Sequence, residues 1–241
     1  MNRFKQILNS PIGIFVILLF LFNMVSGAYT NPLDWIMRKL MMLPGIVIGL
    51  SVHEWAHGFV SHKLGDPTPK IQGRLTLNPA AHMDPIGFLS LLICGFGWGI
   101  PVEIDSRYYK HRRSGEMMVA FAGVVMNFIT AIVFTFIVKG IYTVSAAFVL
   151  SAVGSIITEI LLYVVWINVV LMAFNLLPIP PLDGFNIVTE IFNLRKYSWW
   201  YKFYRYGFFI LFACVMFGIT GILLNVPIRA MYSLLVNILY M

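Results

Sequence analysis

Long apolar runs separated by short polar stretches constrain the fold of this chain more than any other feature of its sequence. A helix of about 20 residues crosses a hydrocarbon layer about 30 Å thick. Runs of about this length cover residues 11–28, 40–60, 116–138, 159–177 and 206–224. The last apolar stretch, 226–241, is either a sixth short span or a helix on the membrane surface, because Arg229 lies near its start. The sequence therefore predicts an all-α polytopic membrane protein with five to six transmembrane helices.

The composition supports a membrane protein. Hydrophobic residues make up 59% of the chain and charged residues 11%, whereas an ordinary soluble domain carries about 25% charged residues. The spans leave little chain for a soluble domain, so we expect residues 1–241 to form one membrane-embedded unit. We expect residues 11–28 to be a retained span, because the following residues make a weak signal-peptide cleavage site. The net charge of +7 comes from loop residues without a recognition motif, which argues against nucleic acid as a partner.

The basic residues also predict an orientation. Seven lie between the second and third spans, and four follow the fourth span. They are Lys63, Lys70, Arg74, Arg107, Lys110, Arg112 and Arg113, then Arg195, Lys196, Lys202 and Arg205. Since loops rich in Lys and Arg stay on the cytoplasmic side, we expect the N-terminus and both basic stretches to be cytoplasmic in a multi-pass protein of the cell membrane.

The stretch between the second and third spans contains less regular elements. Apolar and polar residues alternate over residues 71–77, which is typical of a short strand. Residues 86–100 are apolar but short and rich in glycine, which favours a re-entrant or interfacial segment, and residues 101–104 again resemble a strand. We therefore expect a small β and re-entrant element here, with edges to which an extended peptide can add as a strand.

The second span ends in an HExxH motif at residues 53–57. Residues four apart lie on one face of a helix, so His53 and His57 can present two imidazoles to one metal ion. Glu54 lies beside them and can act as a general base. Ionisable groups at membrane depth usually mark a functional site. The motif predicts a zinc hydrolase with Glu54 as the catalytic residue.

A zinc site of this kind needs a third protein ligand and an open position for water. The fourth span stops at the proline-rich stretch 178–181, because prolines cannot continue a helix. Asp183 follows it on the same predicted membrane side as the two histidines. We expect one Zn²⁺ per chain, bound by His53, His57 and Asp183, with His82 as the competing third ligand. The reaction that this site implies is peptide hydrolysis.

Three motifs together resemble the site-2 protease family of intramembrane zinc metalloproteases. They are HEWAHG at 53–58, GRLTLNP at 73–79 followed by His82 and Asp84-Pro85, and NLLPIPPLDG at 175–184. The resemblance covers about residues 40–193, which we take as the catalytic core, and it is greatest to short members without PDZ or CBS domains. It implies that His53, His57 and Asp183 bind zinc, that Glu54 is the base, and that transmembrane proteins or peptides in the lipid bilayer are the substrates.

Two asparagines are candidates for binding substrate. Asn127 follows Ala122-Gly123-Val124, where the family often has Ala-Gly-Pro, and the spacing from Gly123 to Asn127 also suits close helix packing. Asn175 lies within the third motif.

Two other functions remain open, a membrane zinc transporter and an inactive relative that binds membrane helices. The small number of histidines argues against the first, and the presence of Glu54 argues against the second. The sequence predicts neither the physiological substrate nor the oligomeric state.

Overall fold

The described structure, a computed structural model covering residues 31–94 and 97–240, is built from helices. Nine α-helices lie within these residues: α1 (Pro32–Lys63), α2 (Thr68–Ile71), α3 (Pro85–Cys94), α4 (Arg112–Val144), α5 (Ala146–Leu150), α6 (Ala152–Asn175), α7 (Asp183–Phe192), α8 (Ser198–Met216) and α9 (Ile219–Tyr240). Three short 3-10 turns, at Pro79–Ala81, Ser106–Tyr108 and Leu194–Lys196, connect some of them.

Four of these helices are long and apolar enough to cross a membrane. They are α1 from Leu33, α4, α6 and α9 to Leu239. This confirms a multi-pass helical membrane protein. The helices extend beyond the predicted spans: α1 has 32 residues and α4 has 33, so α4 is about 50 Å long at a rise of 1.5 Å per residue. The predicted first span, 11–28, lies outside the described residues.

Helices α1, α4 and α6 pack against one another and form the centre of the molecule. Small residues allow the close approach of α1 and α6. A Cβ atom on Gly45 would lie 3.0 Å from the carbonyl oxygen of Tyr163, and one on Gly49 would lie 2.6 Å from Leu171. The buried residues of α4 recur every three to four positions, as expected for one face of a helix. The three helices thus enclose a common interior.

A proline-rich loop joins α6 to α7. Pro178, Pro180 and Pro181 lack backbone N–H groups, so the helix cannot continue, and α7 begins at Asp183. Helix α8 packs closely against this loop, because a Cβ atom on Gly207 would lie 2.2 Å from the Cβ of Pro180. The indole of Trp200 on α8 also donates to the Thr189 hydroxyl of α7 at 2.9 Å. The loop before Asp183 is therefore supported from behind by α8.

The two strand predictions are wrong. Within the described residues there is no strand, and the one β-type contact is an isolated antiparallel bridge between Met83 and Gly99. Ile71 ends the short helix α2, and the residues after it form turns, with Gly73 at φ +68°. Residues 101–105 carry no secondary structure and have no strand partner to complete a ladder.

The chain reverses direction after α3. A Cβ atom on Gly87 would lie 2.1 Å from the Trp98 carbonyl oxygen, so the returning segment runs directly against α3. That residues 86–100 re-enter the membrane stays a prediction.

The boundary predicted for the fifth span is also wrong. A single helix over 206–224 does not form, because α8 ends at Met216 and α9 begins at Ile219. Gly218 between them adopts φ +71°, a left-handed conformation that interrupts a helix. Glycine adopts it without strain because it has no Cβ atom. Residues 226–240 of the last apolar stretch belong to α9, which begins seven residues earlier at Ile219 and contains Pro227 in its interior. The stretch is thus the C-terminal part of a longer helix, which is one of the four long enough and apolar enough to cross a membrane.

Candidate metal centre

Three potential metal ligands converge at the centre of the molecule. The Nε2 atoms of His53 and His57 lie 3.1 Å apart, and each lies 3.3 Å from Oδ2 of Asp183. The histidines are one turn apart on α1, and Asp183 enters from the first residue of α7. Within the described residues this is the one group of three or more such side chains close enough to hold a metal ion.

The other ring nitrogens set which histidine atoms can act as ligands. His57 Nδ1 lies 2.7 Å from the carbonyl oxygen of Val119, which only accepts, so Nδ1 carries the hydrogen. His53 Nδ1 lies 2.7 Å from Oδ1 of Asn127 and carries its hydrogen for the same reason. Both Nε2 atoms therefore keep their lone pairs and point them into the cluster. Partners of this kind commonly fix the tautomer of metal-binding histidines.

The donor set fits zinc. Two imidazole nitrogens and a carboxylate are ligands that zinc uses, and bonds of about 2.0–2.1 Å in tetrahedral geometry separate ligand atoms by about 3.3 Å. Oδ2 of Asp183 is buried and has no hydrogen-bond partner among the described residues. Three lone-pair atoms facing one another repel unless a cation lies between them. His53, His57 and Asp183 are thus arranged to hold a zinc ion.

Gly123 on α4 provides the space for the two imidazole rings. A Cβ atom at this position would lie 2.5 Å from both His53 Cε1 and His57 Nε2. Val119, Gly123 and Asn127 follow one another at intervals of four residues, so a single stripe of α4 faces the histidines. The glycine is visible in the sequence as part of a close-packing pattern. The sequence does not single out the carbonyl group of Val119 as a partner of His57, because every residue has a backbone carbonyl.

Glu54 lies next to the cluster in sequence but is not part of it. Its Oε2 accepts a hydrogen bond of 2.9 Å from the backbone N–H of Val102. The segment after α3 therefore orients this carboxylate on α1. The placement leaves Glu54 outside the group of three ligands, and its role as the base stays a prediction.

The two candidate substrate-binding asparagines have different surroundings. Asn127 is fully buried, and both of its amide hydrogens are used, by Gly49 O at 3.0 Å and Asn168 Oδ1 at 2.9 Å. This placement favours a role behind His53 over contact with substrate. Asn175 is half-buried at the end of α6 and donates to the Leu171 carbonyl at 3.1 Å, so a role in substrate binding stays a prediction for it.

The structure does not bring the competing ligand His82 to the cluster. Its ring is fully buried, and Nε2 pairs with the Thr76 carbonyl oxygen at 2.7 Å. Asp84, which follows it, accepts from the N–H groups of Ile86 and Gly87 and so caps the start of α3. These residues of the second motif thus have local partners in the loop.

Comparisons with known proteins agree with this geometry. The chain matches Peptidase family M50 over residues 41–218. "Putative zinc metalloprotease YwhC" of Bacillus subtilis is 39% identical over 156 residues, which cover 63% of this chain and 71% of the relative. "Putative zinc metalloprotease Rip2" of Mycolicibacterium smegmatis is 25% identical over 175 residues, covering 70% of this chain and 64% of the relative.

The protein of the same name in Mycobacterium tuberculosis is 27% identical over 175 residues, which cover 67% of this chain and 61% of the relative. The match thus spans less than two thirds of the Rip2 proteins. No solved structure matches the chain. Since the family match covers most of the sequence and includes all three converging ligands, this chain belongs to peptidase family M50.

Proposed function

We propose that this protein is an intramembrane zinc metalloprotease that hydrolyses peptide bonds in or near the transmembrane segments of membrane proteins. The observation that carries the proposal is the convergence of His53, His57 and Asp183 inside a bundle of membrane-length helices. The chain's membership of a zinc metalloprotease family supports the same activity. Residues 1–241 act as one membrane-embedded domain with its catalytic core at about 40–193.

The catalytic step follows from the arrangement of the side chains. When bound by the two histidines and the aspartate, zinc supplies a Lewis acid that polarises the peptide carbonyl and acidifies water. Glu54 accepts the proton of the attacking water and returns it to the leaving amine, which breaks the C–N bond. The hydrogen bond from Val102 holds the Glu54 carboxylate in place for both transfers.

The substrate is a transmembrane helix that unwinds near the site. A helical peptide bond is hydrogen-bonded and shielded, so hydrolysis requires an extended segment, and residues that weaken a helix favour it. Asn175, at the junction of α6 and the proline-rich loop, is positioned beside the chain that leads to Asp183 and is our candidate for contacting substrate. Substrate enters sideways from the bilayer, and water reaches the site through a cavity lined by protein.

The active-site side is cytoplasmic in this proposal. Arg113 donates to the Glu190 carbonyl oxygen at 2.6 Å, and Arg195 pairs with Glu116, so the basic residues at the start of α4 and those after α7 meet at one end of the molecule. Loops with excess Lys and Arg remain in the cytoplasm. With residues 11–28 as a further span before α1, the chain has five spans formed by the N-terminal run, α1, α4, α6 and α9.

Neither alternative function gains support. A transporter needs further ligands along a path, whereas the described residues contain one metal-binding cluster. An inactive relative would not need a base, whereas Glu54 is present and oriented.

The test compares zinc content and cleavage in purified full-length protein reconstituted in liposomes with a glycine-containing single-pass peptide. We expect one zinc per chain and cleavage of the peptide by the wild type. Glu54→Gln should keep the zinc and lose at least about 100-fold in cleavage rate, because a positioned base contributes about 10²–10⁴-fold. Asp183→Ala should lose both the zinc and the cleavage activity.

Glu159→Gln, which neutralises an exposed carboxylate on α6, is the matched control and should cleave normally. Loss of zinc in Glu54→Gln would show that Glu54 is a ligand, and full zinc occupancy in Asp183→Ala would remove the proposed third ligand.

A further inference from the structure

A buried chain of hydrogen bonds leads from α6 through α4 to the metal-facing histidine of α1. Asn168 donates from Nδ2 to the Val164 carbonyl oxygen at 2.9 Å. Its Oδ1 accepts from Nδ2 of Asn127 at 2.9 Å, and Oδ1 of Asn127 lies 2.7 Å from Nδ1 of His53. Asn127 also donates to the Gly49 carbonyl oxygen at 3.0 Å. Both asparagines have an exposed fraction of 0%, so the chain is shielded from solvent.

Main-chain carbonyl groups fix the direction of every bond in this chain. Val164 O only accepts, so Asn168 must turn its NH₂ group toward it and its oxygen toward Asn127. Gly49 O also only accepts, so Asn127 must present its NH₂ group to both Gly49 and Asn168 and its oxygen to His53. Reversing either amide would place oxygen against oxygen in an apolar interior, where unpaired polar groups are costly.

The direction of the bonds decides the protonation pattern of His53. An acceptor oxygen at Nδ1 keeps the hydrogen on Nδ1 and the lone pair on Nε2, which faces His57 and Asp183. The opposite tautomer would carry a hydrogen on Nε2 and could not bind a metal ion there. If Asn168 is replaced by an apolar residue, Asn127 keeps one carbonyl partner, Gly49, and its amide is less firmly oriented.

We propose that Asn168 is a positioning residue for the metal site, which acts through Asn127 to select the tautomer of His53 that binds zinc. The inference rests on the proposed function, since it assigns a role toward the same zinc ion. Within the described residues, the side chain of Asn168 forms hydrogen bonds to Asn127 and Val164 and not to the histidines or Asp183. A pair of asparagines at membrane depth costs stability compared with apolar packing, so its presence calls for a role of this kind. The helices pack so closely here that no water fits beside the hydrogen bonds of Asn168. Even a Cβ atom on Gly49 would lie 2.6 Å from Leu171 and 3.4 Å from Asn168 Oδ1.

The experiment measures zinc affinity of the purified full chain by competition with a chromophoric chelator. We expect Asn168→Leu to bind zinc about 10–100-fold more weakly, as found when groups that orient metal ligands are removed. Asn168→Asp should stay close to the wild type, because a protonated carboxyl can donate to Val164 and accept from Asn127. The matched control is Thr135→Val on α4, which removes another buried polar group whose hydroxyl bonds only to Ala131 O at 2.8 Å. Its affinity should not change.

Two further measurements separate positioning from general stability. In ¹⁵N-histidine spectra of the metal-free protein, His53 should be in the Nδ1–H tautomer in the wild type and a mixture in Asn168→Leu. Adding Asn168→Leu to an Asn127→Leu variant should weaken zinc binding little further, because both act through one path. If Asn168→Leu does not accumulate in membranes, Asn168→Ser can be used in its place. The serine side chain is too short to reach Asn127, so we expect the same weakening of zinc binding.

The outcomes distinguish this inference from the proposed function. A wild type that binds zinc and an Asn168→Leu variant that binds it equally well, or with an unchanged tautomer, would overturn the role of Asn168 and leave the protease intact. Additive losses in the double variant would also overturn it. A wild type that binds no zinc would instead overturn the proposed function, while the tautomer spectra would still report on Asn168.

Discussion

The metal site leaves no room for a side chain at Gly123. The rings of His53 and His57 occupy the space that a side chain would fill, with hypothetical Cβ contacts of 2.5 Å. Real Cβ atoms do not approach other atoms so closely, so any larger residue must displace the imidazoles or α4. The helix packing and the metal site therefore depend on the same glycine.

We predict that Gly123→Ala impairs both zinc binding and cleavage. A displacement of about 1 Å at a catalytic group costs about 100-fold in rate, so we expect a loss of that order in the liposome assay. Gly140→Ala on the same helix is the control, because a Cβ atom there meets nothing within 4 Å. Equal activity of the two variants would show that the histidines do not need this space.

The pair of ligands on α1 could be predicted from the sequence, and their orienting partners could not. The four-residue spacing places His53 and His57 on one face of the helix, however the helix packs against the rest of the protein. Asp183 could be predicted because prolines end α6 just before it. The carbonyl of Val119 became a partner of His57 only through the packing of α4 against α1. That contact depends on tertiary structure, which no local pattern records.

Helix α8 supports the loop that carries Asp183. Gly207 lies against Pro180, and Trp200 stacks on Phe185 of α7 with ring centroids 6.0 Å apart. Because α8 contributes no metal ligand, its effect on the site is transmitted through this contact.

Gly207→Ala should therefore weaken zinc binding without touching a ligand. The added methyl group would lie 2.2 Å from Pro180 and must displace the loop or α8, and overpacking of this kind costs about 1–3 kcal/mol. The zinc affinity of the purified variant checks the prediction. Gly221→Ala on α9, where a Cβ atom meets nothing within 4 Å, is the control. Unchanged affinity in Gly207→Ala would mean that the loop holds Asp183 without α8.

A buried carboxylate holds the loop after α1 together by hydrogen bonds. Asp66 is fully buried and accepts from the Ser61 hydroxyl at 2.7 Å and from the N–H groups of Thr68 and Asp105, both at 2.8 Å. Burial alone would raise the pKa of Asp66, but these hydrogen bonds outweigh it and lower the pKa below its usual value. The charged form is thus the one that the folded loop binds.

This makes the stability of the loop depend on pH. Since the pKa of Asp66 is lower in the folded state, its contribution is fully present above the unfolded value of about 3.9 and is lost as the pH falls through the folded value. We expect Asp66→Asn to be less stable than the wild type by about 1–3 kcal/mol at pH 7, with the difference shrinking below pH 4. Thermal unfolding in detergent measures it. A difference that does not change with pH would show that the charge of Asp66 is not what the loop binds.

The alternation of apolar and polar residues over 71–77 was not enough to predict a strand. Ile71 and Leu77, at the two ends of the predicted strand, have exposed fractions of 80% and 55%, so the alternating side chains do not share a buried face. A strand also needs a neighbour for its backbone groups, and the adjacent residues 101–105 use the Val102 N–H to bind Glu54 instead. The long helices were predictable because their length and apolar character are set by the bilayer and not by a partner.

We expect the two ends of the long helices to face opposite sides of the membrane. Both basic stretches meet near Glu116, where Arg112 binds at 2.7 Å and Arg195 also pairs. The connection between α4 and α6 lies at the other end of these helices and has no basic residue after Lys139.

Cysteine labelling tests this orientation in intact cells. In a background with Cys94 and Cys214 replaced, single cysteines at the exposed positions Ser114 and Ser198 should be protected from an impermeant thiol reagent. A cysteine at the exposed Thr143 should react. Labelling at Ser114 with protection at Thr143 would invert the orientation and the side from which substrates are cut.

The division of the metal ligands between α1 and α7 has a consequence for biosynthesis. Both histidines enter the membrane early, with α1, whereas Asp183 follows only after α4 and α6 have been made. Until Asp183 has been made, a chain that is still being inserted carries two of the three ligands. The order of the helices along the chain therefore delays completion of the metal site until synthesis has passed α6.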